Sequence, residues 1–90
     1  MDNNTAIKRQ KSLDDLSIGD YAFIDYIKEA CQDDTKRRLL ELGFVKGSKI
    51  KKNSVSILKE VILVEICGYM LCLRRDIAKR IIIRDKQYEQ

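Results

Sequence analysis

Arg37-Arg38-Leu39-Leu40-Glu41-Leu42-Gly43-Phe44-Val45-Lys46-Gly47 is the stretch on which the reading of this chain turns. Leu39, Leu40 and Leu42 give it an apolar side, and Gly43 follows where a helix can stop in the left-handed conformation. With Gly43 one place past the cap, Leu39 and Phe44 would meet in the hydrophobic contact that accompanies such a stop. Upstream, Asp33-Asp34-Thr35 offers side-chain acceptors and negative charge for the other end, so either aspartate can cap it. One short helix of about two turns, sharply ended, is predicted here.

The flanking segments read as strands. Residues 21–31 are rich in aromatic and β-branched types, with Ala22, Ile24 and Tyr26 on one face and Tyr21, Phe23, Asp25 and Ile27 on the other. Residues 48–57 read as a polar strand, or a strand plus loop, whose apolar positions are Ile50, Val55 and Ile57. In residues 61–67, Glu65 breaks one face, so Ile62, Val64 and Ile66 are predicted to face the core. Gly68-Tyr69 is the expected hairpin turn, residues 70–73 its partner strand, and residues 81–83 the last strand. Ser12 can cap a helical turn whose Leu13 and Leu16 plug the core, and residues 74–80 fit another turn carrying Ile77 and Ala78. The sum is a mainly β fold, a small barrel or sandwich of about five strands with one short α-helix and one or two helical turns. Residues 1–11 and 86–90 read as polar tails, the first frayed and disordered, around a single domain at 12–85.

Ninety residues suffice for one core but not for a deep cleft, since a chain this short buries only roughly 60% of its unfolded surface. No run approaches the roughly 18 apolar residues of a membrane span, and the N-terminus lacks the apolar core of a secretory signal. The expected compartment is the cytoplasm. Catalytic groupings are absent: without histidine there is no nucleophile–imidazole pair, and the glycines lack the spacing of a phosphate loop. A non-enzyme is expected, with no cofactor.

Cys67 and Cys72 could form half of a thiolate metal site, with Cys31 as the only further thiolate. The favoured reading is two small apolar residues on paired strands. Lys46, Lys49, Lys51 and Lys52 could contact nucleic acid or an anionic surface. A lysine-rich edge that discourages aggregation explains them as well. The net charge is only +4, and Lys8, Arg9 and Lys11 against Asp2 place half of it in the first twelve residues, so no nucleic-acid partner is expected. The acidic pairs Asp14-Asp15 and Asp33-Asp34 are read as helix-end residues rather than cation ligands. Arg37-Arg38 and Arg74-Arg75 could be solvated faces or could rim a protein-binding surface.

Three blocks together resemble the FeoA family. Leu13-x-x-Leu16-x-x-Gly19 before a strand is similar to its opening. The run from Arg37 to Ser48 resembles its central helix ending in Leu-Gly, and Gly68-Tyr69-Met70-Leu71-Cys72-Leu73-Arg74-Arg75 with Ala78 resembles its closing hairpin, turn and last strand. Two departures stand out: Lys46 replaces a frequent proline, and Leu58-Lys59-Glu60 lacks the glycine and proline usual before the third strand. The resemblance implies an SH3-like barrel and an accessory role in ferrous-iron uptake. Its expected partner is FeoB, a membrane transporter with a cytosolic GTP-binding domain. It also implies kinship with the C-terminal domain of iron-dependent repressors. On that reading the partner surface is the helix and its exit, Arg37, Arg38, Glu41 and Phe44, with Tyr69 and Arg74 as weaker choices. A homo-oligomer is left open.

Overall fold

The computed structural model describes residues 10–29 and 32–85; Cys31 and nearly all of both tails lie outside the described residues. Among the described residues, one antiparallel sheet of six strands curls around the core, in the order β1-β6-β2-β3-β4-β5. The strands are β1 (Lys11–Ser12), β2 (Tyr21–Ile27), β3 (Lys49–Val55), β4 (Val61–Ile66), β5 (Tyr69–Arg74) and β6 (Ile81–Arg84). A 3-10 turn (Leu13–Asp15) follows β1, α1 (Asp33–Glu41) joins β2 to β3, and α2 (Arg75–Ala78) joins β5 to β6. The expected five strands become six because Lys11 and Ser12 pair with Ile83 and Ile82 of β6. The Ser12 N–H and hydroxyl both donate to Asp15 Oδ2, at 2.9 and 3.3 Å, and Leu13 and Leu16 are buried beneath them.

Helix α1 ends as its sequence requires. Gly43 lies at φ +105, the Phe44 N–H donates to the Leu39 carbonyl at 3.0 Å, and the Gly43 N–H to the Leu40 carbonyl at 3.1 Å. Those two bonds define a Schellman stop. Leu39 and Phe44 are both buried in the core cluster. Burying such a side chain contributes roughly 1.5–3 kcal/mol. The other end differs from expectation. Gln32 is the N-cap, without a side-chain capping bond, and Asp33 and Asp34 lie inside the first turn. There they still complement the positive helix end. Leu40 is 44% exposed, so the buried side of α1 is Leu39 with half-buried Leu42.

Strand β2 is shorter than predicted, and its second half is reversed. A bulge between Ile24 and Tyr26 shifts the alternation by one place. Ile27 therefore joins Ala22 and Ile24 in the core while Tyr26 is 42% exposed. A one-residue shift moves every later side chain to the opposite face. Strand β4 matches its reading: Ile62, Val64 and Ile66 are buried. Its hairpin turn is Cys67-Gly68 rather than Gly68-Tyr69, with φ of 53° and 83°. Positive φ at both central residues suits the right-handed twist of a tight hairpin. Beyond β3, Ile57 is not a strand residue at all; it sits 96% exposed in the turn before β4. In that turn Lys59 takes φ 63°, the left-handed conformation that glycine would adopt more easily.

An ideal Cβ on Gly43 would lie 2.4 Å from Cys67 Sγ. Gly43→Ala is therefore expected to cost roughly 1–2 kcal/mol from the left-handed backbone alone, and more from the thiol. Urea unfolding should show that adding Cys67→Ala recovers only the second part. Gly19→Ala, at φ +92 with open space around it, should show the backbone part alone.

Candidate functional site

Two junctions organise the exposed surface, one at each end of β5. At the first, the C-terminus of α1 rests on the β4–β5 hairpin. The Tyr69 hydroxyl donates to the Leu42 carbonyl, and the Cys67 thiol lies 3.9 Å from the Gly43 carbonyl oxygen. These contacts occupy carbonyls that the helix end leaves free. Above them Arg37, Arg38 and Glu41 line one shallow concavity with Asp34 and Leu42. Arg37 donates to Asp34 one turn back at 3.1 Å; both side chains are largely in water, so the pair is worth little.

Of the expected partner residues, the fold thus brings together Arg37, Arg38, Glu41 and Tyr69. It separates the other two. Phe44 is fully buried and belongs to the core, because the helix stop turns it inward beside Leu39. Arg74 lies at the far end of β5, five residues or roughly 16 Å from Tyr69. There it pairs with Asp76 at 3.1 and 3.2 Å, which lowers the Asp76 carboxyl below its ordinary value and raises the guanidinium.

The second junction was not legible as a site. Asp14, with its side chain only 8% exposed, accepts two bonds from Arg75, Nε at 2.7 Å and a terminal nitrogen at 3.1 Å. The other terminal nitrogen of Arg75 donates to the Lys59 carbonyl at 3.0 Å, and Lys52 Nζ donates to the Asp14 carbonyl at 3.1 Å. Lys52 is only 6% exposed. The signal that could have found it is alternation, since Lys52 lies two places after the buried Ile50. The Arg75 bonds, outweighing the effect of burial, hold the Asp14 carboxyl below the ordinary carboxylate value.

The lysine cluster is dispersed by the same geometry. Lys46 is 4.0 Å from Asp25, Lys49 Nζ stands 4.1 Å from the Tyr21 ring centroid, Lys51 pairs across the sheet with Glu65, and Lys52 is inside. Lys49 and Lys51 share one outer concavity with Tyr21 and Glu65, and Lys52 does not join them. The cysteines do not converge: Cys67 is in the turn and Cys72 lies opposite Leu63, both exposed rather than packed inside. Among the described residues, no three His, Cys, Asp or Glu side chains group so as to hold a metal ion. No helix there is long and apolar enough to cross a membrane.

Residues 11–85 match the FeoA domain, which covers both junctions. This chain belongs to the FeoA domain family. Among solved structures, the FeoA protein of Chlorobium tepidum is 30% identical, with a TM-score of 0.78 over 89% of this chain and 74% of that one. The FeoA of Stenotrophomonas maltophilia, an SH3 domain protein solved with zinc, is 29% identical, with a TM-score of 0.71 over 81% and 88%. The fold of the FeoA domain described here is accordingly SH3-like. A manganese-dependent transcriptional repressor, 18% identical, shares that fold alone, with a TM-score of 0.78 over 89% of this chain and 38% of its own. No curated protein matches this chain.

Two measurements check the junctions. Tyr69→Phe should lower the unfolding free energy by about 1 kcal/mol, the worth of one hydrogen bond, with strand content unchanged. Because the Asp14 carboxyl titrates lower when folded, its pairing stabilises the protein above the ordinary carboxylate range and is lost as pH falls through the folded value. Wild-type stability should therefore drop below about pH 4. Asp14→Asn should be weaker at neutral pH and should flatten that part of the profile.

Proposed function

We propose that this FeoA-domain chain is a non-catalytic, cytoplasmic accessory protein of ferrous-iron uptake that docks on the cytosolic region of the membrane transporter FeoB. The observation that carries the reading is the family match across residues 11–85. In support, the Stenotrophomonas relative is described as an SH3 domain protein connected with activating ferrous-iron transport. Iron here is the transporter's cargo, and no resident metal or cofactor of this chain is invoked. The docking surface is the outer side of α1, Arg37, Arg38 and Glu41, with Tyr69 holding the helix end in place. Charges on such a surface act mainly on encounter and specificity.

Titration of the purified protein against the cytosolic domain of FeoB, and against full-length FeoB in nanodiscs, tests the reading. Saturable binding to at least one is expected. Arg37→Glu with Arg38→Glu should weaken it at least ~10-fold while the strand content is kept, since both side chains are exposed. No association with either form of the transporter would reject the reading.

A further inference from the structure

The turn between β3 and β4 carries two aliphatic side chains out into water. Ile57 is 96% and Leu58 78% exposed, side by side. The turn itself is firmly held. The Ser56 N–H donates to the Val61 carbonyl and the Lys59 N–H to the Ser56 carbonyl, both at 2.8 Å. Ser56 Oγ also accepts from the Glu60 and Val61 N–H groups at 3.2 and 3.3 Å. The apolar tip is therefore presented on a fixed support.

The base of the same turn is basic. The Arg75 N–H donates to the Glu60 carbonyl and an Arg75 terminal nitrogen to the Lys59 carbonyl, each at 3.0 Å. The turn is thus seated on the start of α2. Where they meet lies an open cleft of about 560 Å³, room enough for a lipid headgroup. Lys59, Arg74, Arg75 and Lys79 line it against Glu60 and Asp76. Asp76 is held by Arg74, and Arg75 is held from beneath by Asp14. Among the described residues, Lys59 and Lys79 make no ion pair. Arg74 keeps N–H groups that Asp76 does not take. Only the Glu60 carboxylate in the cleft opposes these donors.

We infer that this end of the molecule rests on an anionic lipid surface, with Ile57 and Leu58 in the acyl boundary and headgroup phosphates in the cleft behind them. The order of the two features matches the layers of a bilayer: aliphatic side chains outermost, cations at their base. Interfacial binding combines burial of a few apolar side chains with attraction between Lys or Arg and anionic headgroups. Two protruding aliphatics are too few for the core of a protein interface of roughly 1,200 Å². A soluble phosphate would occupy the cleft but leave the tip in water. Even one acyl chain holds a protein only marginally, so this attachment is weak and reversible. It is separate from docking on a transporter, which takes place on the outer side of α1 at the other end of β5.

Co-flotation of the full chain with vesicles that hold no transporter reads the outcome. One set is phosphatidylcholine alone; the other mixes phosphatidylcholine and phosphatidylglycerol in equal parts. The wild type should float with the mixed vesicles and not with the neutral ones, and added salt should weaken the binding. Ile57→Asp with Leu58→Asp should weaken it at least ~10-fold, and Lys59→Glu with Lys79→Glu should do the same. Arg37→Glu with Arg38→Glu makes the same change of net charge on α1 and should retain most of the binding. Circular dichroism and melting check that each variant is folded. The chain contains no tryptophan, so Leu58→Trp supplies a single reporter, whose emission should shift to the blue on the mixed vesicles. A wild type that ignores the mixed vesicles overturns the inference, as does equal binding to neutral ones. So does a tip variant that floats as well as the wild type, or an α1 variant that loses as much as the Lys59 and Lys79 variant. Saturation of the cleft by soluble glycerol phosphate, with no blue shift on vesicles, would also overturn it and place a free phosphate there.

Discussion

Where α1 meets the β4–β5 hairpin, there is no room for a side chain at residue 43. The Cys67 sulfur fills the place a Cβ would take, and the left-handed φ of Gly43 lets Phe44 turn under the helix. Much else depends on that close approach. A nine-residue helix is marginal by itself in water, so α1 exists because its end is packed and bonded. With that end pinned by Gly43 against Cys67 and by Leu42 against Tyr69, Arg37, Arg38 and Glu41 all point outward on one rigid face.

Asp14 performs the corresponding task at the other end of β5. Its carboxylate holds Arg75 and its carbonyl holds Lys52, so the 3-10 turn, α2 and β3 share one anchor. A lysine as buried as Lys52 is tolerated because its ammonium has a carbonyl to bond and a carboxylate nearby. The arrangement also explains why the four lysines do not all share one surface. Strand alternation sends Lys52 inward, and the other three find separate neighbours on the outside.

The same SH3-like frame serves a transcriptional repressor 18% identical to this chain, so the frame by itself does not specify a role. What differs among such domains is the surface that each loop and helix presents. Here the surfaces are set by rigid junctions rather than by long loops. The β3–β4 turn, residues 56–60, lacks glycine. It folds tightly all the same, with Lys59 in a conformation glycine would take at lower cost.

Local patterns in the chain were enough to establish the helix with its stop at Gly43, the core face of β4, the two short turns and the mainly β class. Each rests on neighbours a few residues apart, where periodicity and backbone preference act directly. The exposed face of α1 was legible for the same reason. Tertiary structure alone decided that Arg74 stands apart from Tyr69 and that Tyr26 and Ile27 exchange faces across a bulge. It also decided that Asp14 binds Arg75, a residue 61 positions away. Such outcomes depend on register between distant strands and on which segments compete for the same space. Neither quantity is written in the spacing of any one segment.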